Sequence, residues 1–392
     1  MYSIIFIWLL IFILIFVLIK LLNINKNYFV SFLITFSIIL FVLNLQDCIN
    51  AALVGLNLVI KTILPTIFPF SFICNLLICY DGISLYSKIF GPLICKPLKL
   101  SKNSSFPIAA SLICGYPLGC KYCCDLYNLG YIDKDEFTRL LNIASNASPM
   151  FLIGSVGATM FGNPKLGFIL LIGNYLSPLL IGILTIPKSK KNTPITDIPV
   201  VQNKVNIGSA LKTSIENSVN TTLQVGAFVI IFSIIISIVK NNAYISIVFQ
   251  NIENFFKLPS SILYGSFLGS IEFTNGCKLI SSSSLPLILK LSIISFICSF
   301  SGLSVVGQIS SFIGNLDVSL CKYTFLKFIQ GIISFFITFI SCIFLLKDVT
   351  VSTITPSSLY INNRILLIIY GILIASLLCT LLIRYFKKLH VS

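Results

Sequence analysis

The chain is poor in charge. Only 10% of its 392 residues are Asp, Glu, Lys or Arg, where an ordinary soluble domain carries about 25%. So few charges cannot cover the surface of a soluble fold, which excludes compact soluble enzymes and disordered chains. Negative charge is scarcest. Twelve Asp and Glu stand against 27 Lys and Arg, a net charge of +15. A membrane protein carries such an excess in cytoplasmic loops, so the basic balance calls for no nucleic-acid partner. The single histidine is His390, which leaves a zinc site short of ligands. No Walker loop, no GxSxG with triad partners and no dinucleotide fingerprint appears. The sequence therefore points to no enzyme, no cofactor and no metal.

What is present is apolar. Hydrophobic residues make up 56% of the chain, and the mean hydropathy is +1.00. A transmembrane helix needs about 20 mainly apolar residues. Segment 4–19 is an unbroken apolar run without a basic n-region or a small-residue cleavage site, so it reads as a retained anchor. A second candidate covers 28–43. Charge-free stretches follow at 62–80, 140–164, 166–187, 217–239, 291–316, 328–346 and 365–383, and shorter ones at 103–120 and 258–271 are broken by Gly or Pro. The basic loops hold Lys20 and Lys26, then Lys88 to Lys102, then Lys188 to Lys204, then the Arg384–Lys388 tail. Placing them inside leaves the N-terminus, the Asp47 region and the 347–364 loop outside.

The halves on either side of a polar linker resemble each other. Each has an amphipathic stretch (56–64 and 211–223) leading into a span. A proline-started segment follows, at Pro107 and at Pro259. Then comes Gly-Cys-Lys, at 119–121 and at 276–278, and a long run closing in Gly-Asn, at Gly162-Asn163 and at Gly314-Asn315. By the charge argument the halves run in opposite directions, as in the inverted-topology repeats of many secondary carriers. The alternative is low-complexity similarity between apolar helices. The expected fold is an all-α polytopic membrane protein of two inverted repeats with broken or re-entrant helices. Its parts are N-terminal helices at 1–45, a first repeat at 46–187, a cytoplasmic linker at 188–207, a second repeat at 208–346 and a C-terminal helix with a basic tail at 347–392.

Two broken segments occupy matching places: Gly115-Tyr116-Pro117-Leu118-Gly119 and Glu272-Phe273-Thr274-Asn275-Gly276. Gly and Pro free backbone groups that are tolerated at membrane depth only when buried in protein or lining a wet cavity. Paired interruptions of this kind point to a transport site, and helix N-termini there would face an anion. Two surface turns between short helices would look the same. Glu272, an ionisable group in an apolar region, is a candidate cation, proton or substrate site, or a loop acid paired with Lys278. Lys121 and Lys278 could neutralise an anion or snorkel to headgroups. Glu216, Asn217 and Asn220 form one polar stripe, matched by Asn57 and Lys61. Asn146 and Ser148, and Ser301 with Gln308, are polar positions deep in apolar runs that line a path or glue helices together. Asp133, Asp135 and Glu136 read as a solvated helix start beside Lys134 and Arg139. Cys120, Cys123 and Cys124 form a CxxCC with Cys114 nearby. Small apolar fillers explain them, with a thiol-redox site as the alternative.

These motifs together resemble the sporulation integral membrane protein family of the YlbJ type, whose halves are similar to the Gate domains of nucleoside transporters. The residues carrying the resemblance are Gly115 to Lys121, Asp125-Leu126-Tyr127, Gly130, Asn146 to Gly157, Phe161-Gly162 and Tyr175-Leu176-Ser177. In the second half they are Glu272 to Gly276 and Ser301-Gly302-Leu303-Ser304 with Gln308. Together they cover about residues 45 to 345. The family pattern has Ala at Cys120, Gly at Ser148 and Ser301, and His at Asn174 and Val306; the missing histidines argue against a histidine proton relay. The resemblance implies a role in endospore formation. The implied activity is movement of dipicolinic acid, a pyridine dicarboxylate, toward the forespore across its outer membrane. On this reading the cargo is a small anion and a coupling ion is possible. The substrate would touch Gly115, Tyr116, Gly119, Lys121, Asn146, Ser148, Glu272, Thr274, Asn275, Gly276, Lys278, Ser301 and Gln308. A nucleoside carrier and a non-transporting envelope protein are the competing readings.

Overall fold

The computed structural model describes residues 26–187, 206–314 and 316–346. The expected anchor at 4–19, the linker up to 205, Asn315, the 347–364 loop, the 365–383 span and the tail with His390 lie outside the described residues. All regular structure among the described residues is helical, and five helical stretches are long and apolar enough to cross a membrane, one of them (Leu287–Ile313) turning at Ser301.

The first half begins with α1 (Lys26–Leu43) and the 35-residue α2 (Leu45–Cys79). It continues through the short α3 (Gly82–Ile89), α4 (Ser105–Cys114), α5 (Leu118–Asn128), α6 (Lys134–Ile143) and α7 (Met150–Met160, π-helical) to α8 (Pro164–Leu184). The second half repeats this order. The 35-residue α9 (Ile207–Asn241) leads to α10 (Ala243–Phe255), α11 (Ile262–Ile271), α12 (Phe273–Ser281), α13 (Leu287–Phe300), α14 (Gly302–Ile313) and α15 (Leu320–Leu345). Each half is thus a long helix, a short helix, a helical hairpin, an interrupted helix and a second long helix.

Local chemistry sets these boundaries. α2 contains one π-helical turn at Val59–Ile63 just ahead of Pro65 and Pro69, residues without the N–H that an α-helical ladder requires. The Asn163 side chain accepts from Lys165 N, and Pro164 takes the first turn of α8, a favoured start. The runs at 140–164 and 291–316, expected as single spans, are each two helices. The first unwinds over 144–148; the second turns at Ser301, whose φ is +71°.

The first long helices of the two halves pack against each other in opposite directions. Asp47 accepts from Asn241, Gly55 lies against Ser233, Val59 against Gly226, Asn75 against Ser218 and Cys79 against Ser214. The partner number falls as the residue number rises. Gly55 and Gly226 permit this approach: a Cβ on Gly55 would lie 2.9 Å from Ser233 Oγ. The closing helices α8 and α15 are also antiparallel. Gly173 abuts Thr338 and Ser334, while Asn163 and Lys165 share a hollow with Leu345 and Leu346.

Candidate functional site

The two hairpins enter from opposite ends of the bundle. The first hairpin has its mouth at the end shared by Cys79, Ser214 and Gly182, where the Glu136 Oε1 accepts from Ser101 N at 2.6 Å and Ser104 Oγ at 2.6 Å. Arg139 at this end donates to the carbonyls of Leu98 and Gly182. At the mouth of the second, the carboxylate of Glu253 accepts from Ser261 N at 2.9 Å and Leu263 N at 2.7 Å. Glu136 is therefore a buried anchor, not part of a solvated helix start; Asp133, Lys134 and Asp135 are exposed as expected there, and Asp133 caps α6 by accepting from Glu136 N. Ten-residue helices such as α4 and α11 rise about 15 Å each, half of a hydrocarbon core of about 30 Å. Two opposed hairpins of this length meet in the middle.

They meet tip to tip. The Tyr116 and Phe273 rings are 5.1 Å apart and perpendicular, and Phe151 of α7 lies 4.9 Å from Phe273. Each tip also leans on the interrupted helix of its own half. Gly115, at φ +81°, fits so closely that a Cβ would lie 2.7 Å from Ser148 N. Tyr116 N donates to the Asn146 carbonyl at 2.7 Å. In the second half, a Cβ on Gly302 would lie 3.0 Å from the Gly269 carbonyl oxygen and 3.2 Å from that of Ile271. Four breaks therefore share one region. Four helix N-termini, those of α5, α7, α12 and α14, begin there, and four C-termini end there. The region offers partial positive and partial negative charge together.

The expected site residues divide. Gly115, Tyr116, Asn146 and Ser148 come together at the first tip. The Tyr116 hydroxyl is buried and has no hydrogen-bond partner among the described residues. Gly119 closes the first hairpin against Ser111, and Gly276 closes the second against Gly269. Glu272 caps α12: it accepts from Thr274 N, Thr274 Oγ1, Asn275 N and Asn275 Nδ2 at 2.5–3.0 Å. Ser301 donates to the adjacent Phe300 carbonyl, and Gln308 is buried on α14. Lys121 is buried and bound to Asp125 at 2.8 Å and to Asn75 at 3.1 Å, so its charge is already matched. Lys278 is exposed. The two lysines do not converge. Lys121 reaches Asn75, which bonds Ser218 of α9, whereas Asn275 bonds Lys240 of the same helix. From 218 to 240 is a rise of about 33 Å. The exposed stripe of Glu216, Asn217 and Asn220, like Asn57 and Lys61, faces away from the bundle. The packed face of α9 carries Ser214, Ser218, Thr221 and Thr222 instead. Cys120, Cys123 and Cys124 are buried, and no cluster of three metal-ligating side chains occurs among the described residues.

One functional candidate lies outside the residues that the sequence singles out. α15 presents a fully buried polar seam of Tyr323, Lys327, Gln330, Ser334 and Thr338. Lys327 Nζ donates to the Ser145 carbonyl at 2.5 Å and to Gln330 Oε1 at 2.9 Å. Gln330 Nε2 in turn donates to Asn146 Oδ1 at 3.3 Å. Tyr323 OH pairs with Ser145 Oγ at 2.8 Å. The seam therefore grips the unwound segment that holds the first tip. The free charge-free run begins at Phe328, so counting uncharged residues leaves Lys327 outside it. The signal that could have found it is the spacing of three to four residues from 323 to 338, which is one helical face.

No family model matches the chain, and no solved structure matches it. Over 308 residues it is 25% identical to the sporulation integral membrane protein YlbJ of Bacillus subtilis, covering 73% of this chain and 76% of that protein. The similarity supports the YlbJ-type family.

Proposed function

We propose that this chain, as a YlbJ-type sporulation membrane protein, is a secondary carrier that moves dipicolinic acid toward the forespore across its outer membrane. The observation that carries the reading is the tip-to-tip meeting of two hairpins entering from opposite ends. The antiparallel pairing of α2 with α9 and of α8 with α15 supports inverted repeats. Such repeats place a substrate at the interface of discontinuous helices and move one repeat against the other. Helix N-termini suit carboxylates, and the rings of Tyr116, Phe151 and Phe273 offer faces and edges to a pyridine ring. The unpartnered Tyr116 hydroxyl is a hydrogen-bond donor for a carboxylate. Gathering Lys88, Lys96, Lys99, Lys102 and Arg139 near one end supports the cytoplasmic assignment of that end. A dianion crossing alone would feel about 2.3 kcal/mol per charge per 100 mV, so an accompanying cation or proton would make the movement less sensitive to potential.

The test is uptake of labelled dipicolinate into proteoliposomes containing the full chain, with Glu272→Gln as a control. Saturable flux above empty liposomes, reduced in the variant and not displaced by unlabelled nucleosides, is the expected result. Flux equal to empty liposomes from folded protein removes the reading. Displacement by nucleosides moves the cargo to that class.

A further inference from the structure

Lys327 poses a problem that the carrier reading does not solve. Its ammonium is fully buried about 10 Å inside α15, counting seven residues from Leu320. None of the ion pairs among the described residues involves it. Its partners are two neutral oxygens, a backbone carbonyl of an unwound segment and a side-chain amide. Charges in such places are normally paired or functional. Unwound backbone carbonyls are also the ligands that transporters use for small monovalent cations, and a side-chain amide oxygen is an acceptor of the same kind. Both acceptors belong to the chain of bonds that fixes the first tip. Gln330 holds Asn146 through its side chain, and the Asn146 carbonyl receives Tyr116 N.

We propose that the Lys327 ammonium is a tethered cation, filling a monovalent-cation site made by the Ser145 carbonyl and the Gln330 amide oxygen and locking the first hairpin tip from inside. A free ion is then unnecessary at this position. Truncating the lysine leaves its oxygens facing a hole of the right chemistry for sodium, ammonium or methylammonium. The inference does not depend on the identity of the cargo.

The experiment is thermal unfolding of the purified full chain, without cargo, in sodium, ammonium, methylammonium or choline chloride. Wild type is expected to unfold at one temperature in all four salts. Lys327→Ala is expected to unfold lower in choline and to regain a few degrees, saturably, with at least one of the three small cations. Lys327→Met, whose stem fills the hole without charge, is expected to be destabilised and unresponsive. If Lys327→Ala accumulates only when a small cation is supplied during purification, its yield replaces the melting temperature as the readout, with the same expectation. The proposal is overturned if Lys327→Ala responds to none of the three cations, if wild type responds as Lys327→Ala does, or if Lys327→Met is as stable as wild type.

Discussion

Single residues decide what the tips can hold. Tyr116 donates its backbone N–H to Asn146 while its hydroxyl is buried without a partner among the described residues. An unsatisfied buried hydroxyl is a cost, roughly 1–3 kcal/mol, that a ligand can remove. Tyr116→Phe should therefore leave the melting temperature equal or raised, while lowering dipicolinate uptake about tenfold, the worth of one hydrogen bond of about 1.4 kcal/mol. A drop in melting temperature with uptake unchanged would assign the hydroxyl to packing. The paired glycines and Glu272 are legible in the sequence because broken helices need such residues at the break. The roles of the lysines are not. The i,i+4 spacing of Lys121 and Asp125 allows their pairing, but nothing in a linear reading shows that Asn75 completes it or that Glu136 turns inward to hold the loop before α4.

At the level of elements, close approach is the governing constraint. The second hairpin closes where Gly276 meets Gly269, and a Cβ on Gly276 would lie 2.2 Å from the Gly269 Cα. Gly276→Ala forces two backbones apart and should cost about 1–3 kcal/mol, the usual range for overpacking. Gly154, with nothing within 4 Å of a Cβ, is the internal comparison. Gly154→Ala should be neutral or stabilising by roughly 0.5–1 kcal/mol, because alanine loses less backbone entropy in a helix. Thermal unfolding of the two variants side by side tests the hairpin packing. The order of elements was visible in the repeated motifs, and α1 and the long spans lie where hydropathy puts them. The interruptions within 140–164 and 291–316 were visible only as small and polar residues. A run of apolar side chains looks the same whether its backbone is one helix or two. The geometry that separates the cases is contact with a neighbouring hairpin, whose Tyr116 N donates to the Asn146 carbonyl at the first break and whose Gly269 and Ile271 carbonyls crowd Gly302 at the second, and these are contacts between distant residues.

At the largest scale, the described residues form two similar halves whose long helices oppose one another. This arrangement predicts sidedness. A single reporter cysteine replacing Lys99, in a background freed of native cysteines, should react with an impermeant reagent only from the cytoplasmic side. One replacing Lys257, beside the second hairpin mouth, should react only from the other side. Labelling of both from one side would contradict opposed hairpins. The sequence by itself determined that the chain is a helical membrane protein, since its mean hydropathy and scarcity of charge admit no other burial. It also marked where helices break, since Gly and Pro act locally. Only the tertiary structure decided which polar groups are matched across distant segments and which, like the Tyr116 hydroxyl, are left over. Lys121 and Lys327 are both lysines beside broken helices; one meets a carboxylate a turn away on its own helix, the other meets only neutral oxygens, an amide a turn away and a carbonyl from a segment nearly two hundred residues distant. The Lys121 pair follows from helical spacing along the chain, whereas the Ser145 carbonyl reaches Lys327 only through packing between distant segments, where partners are chosen by distance in space.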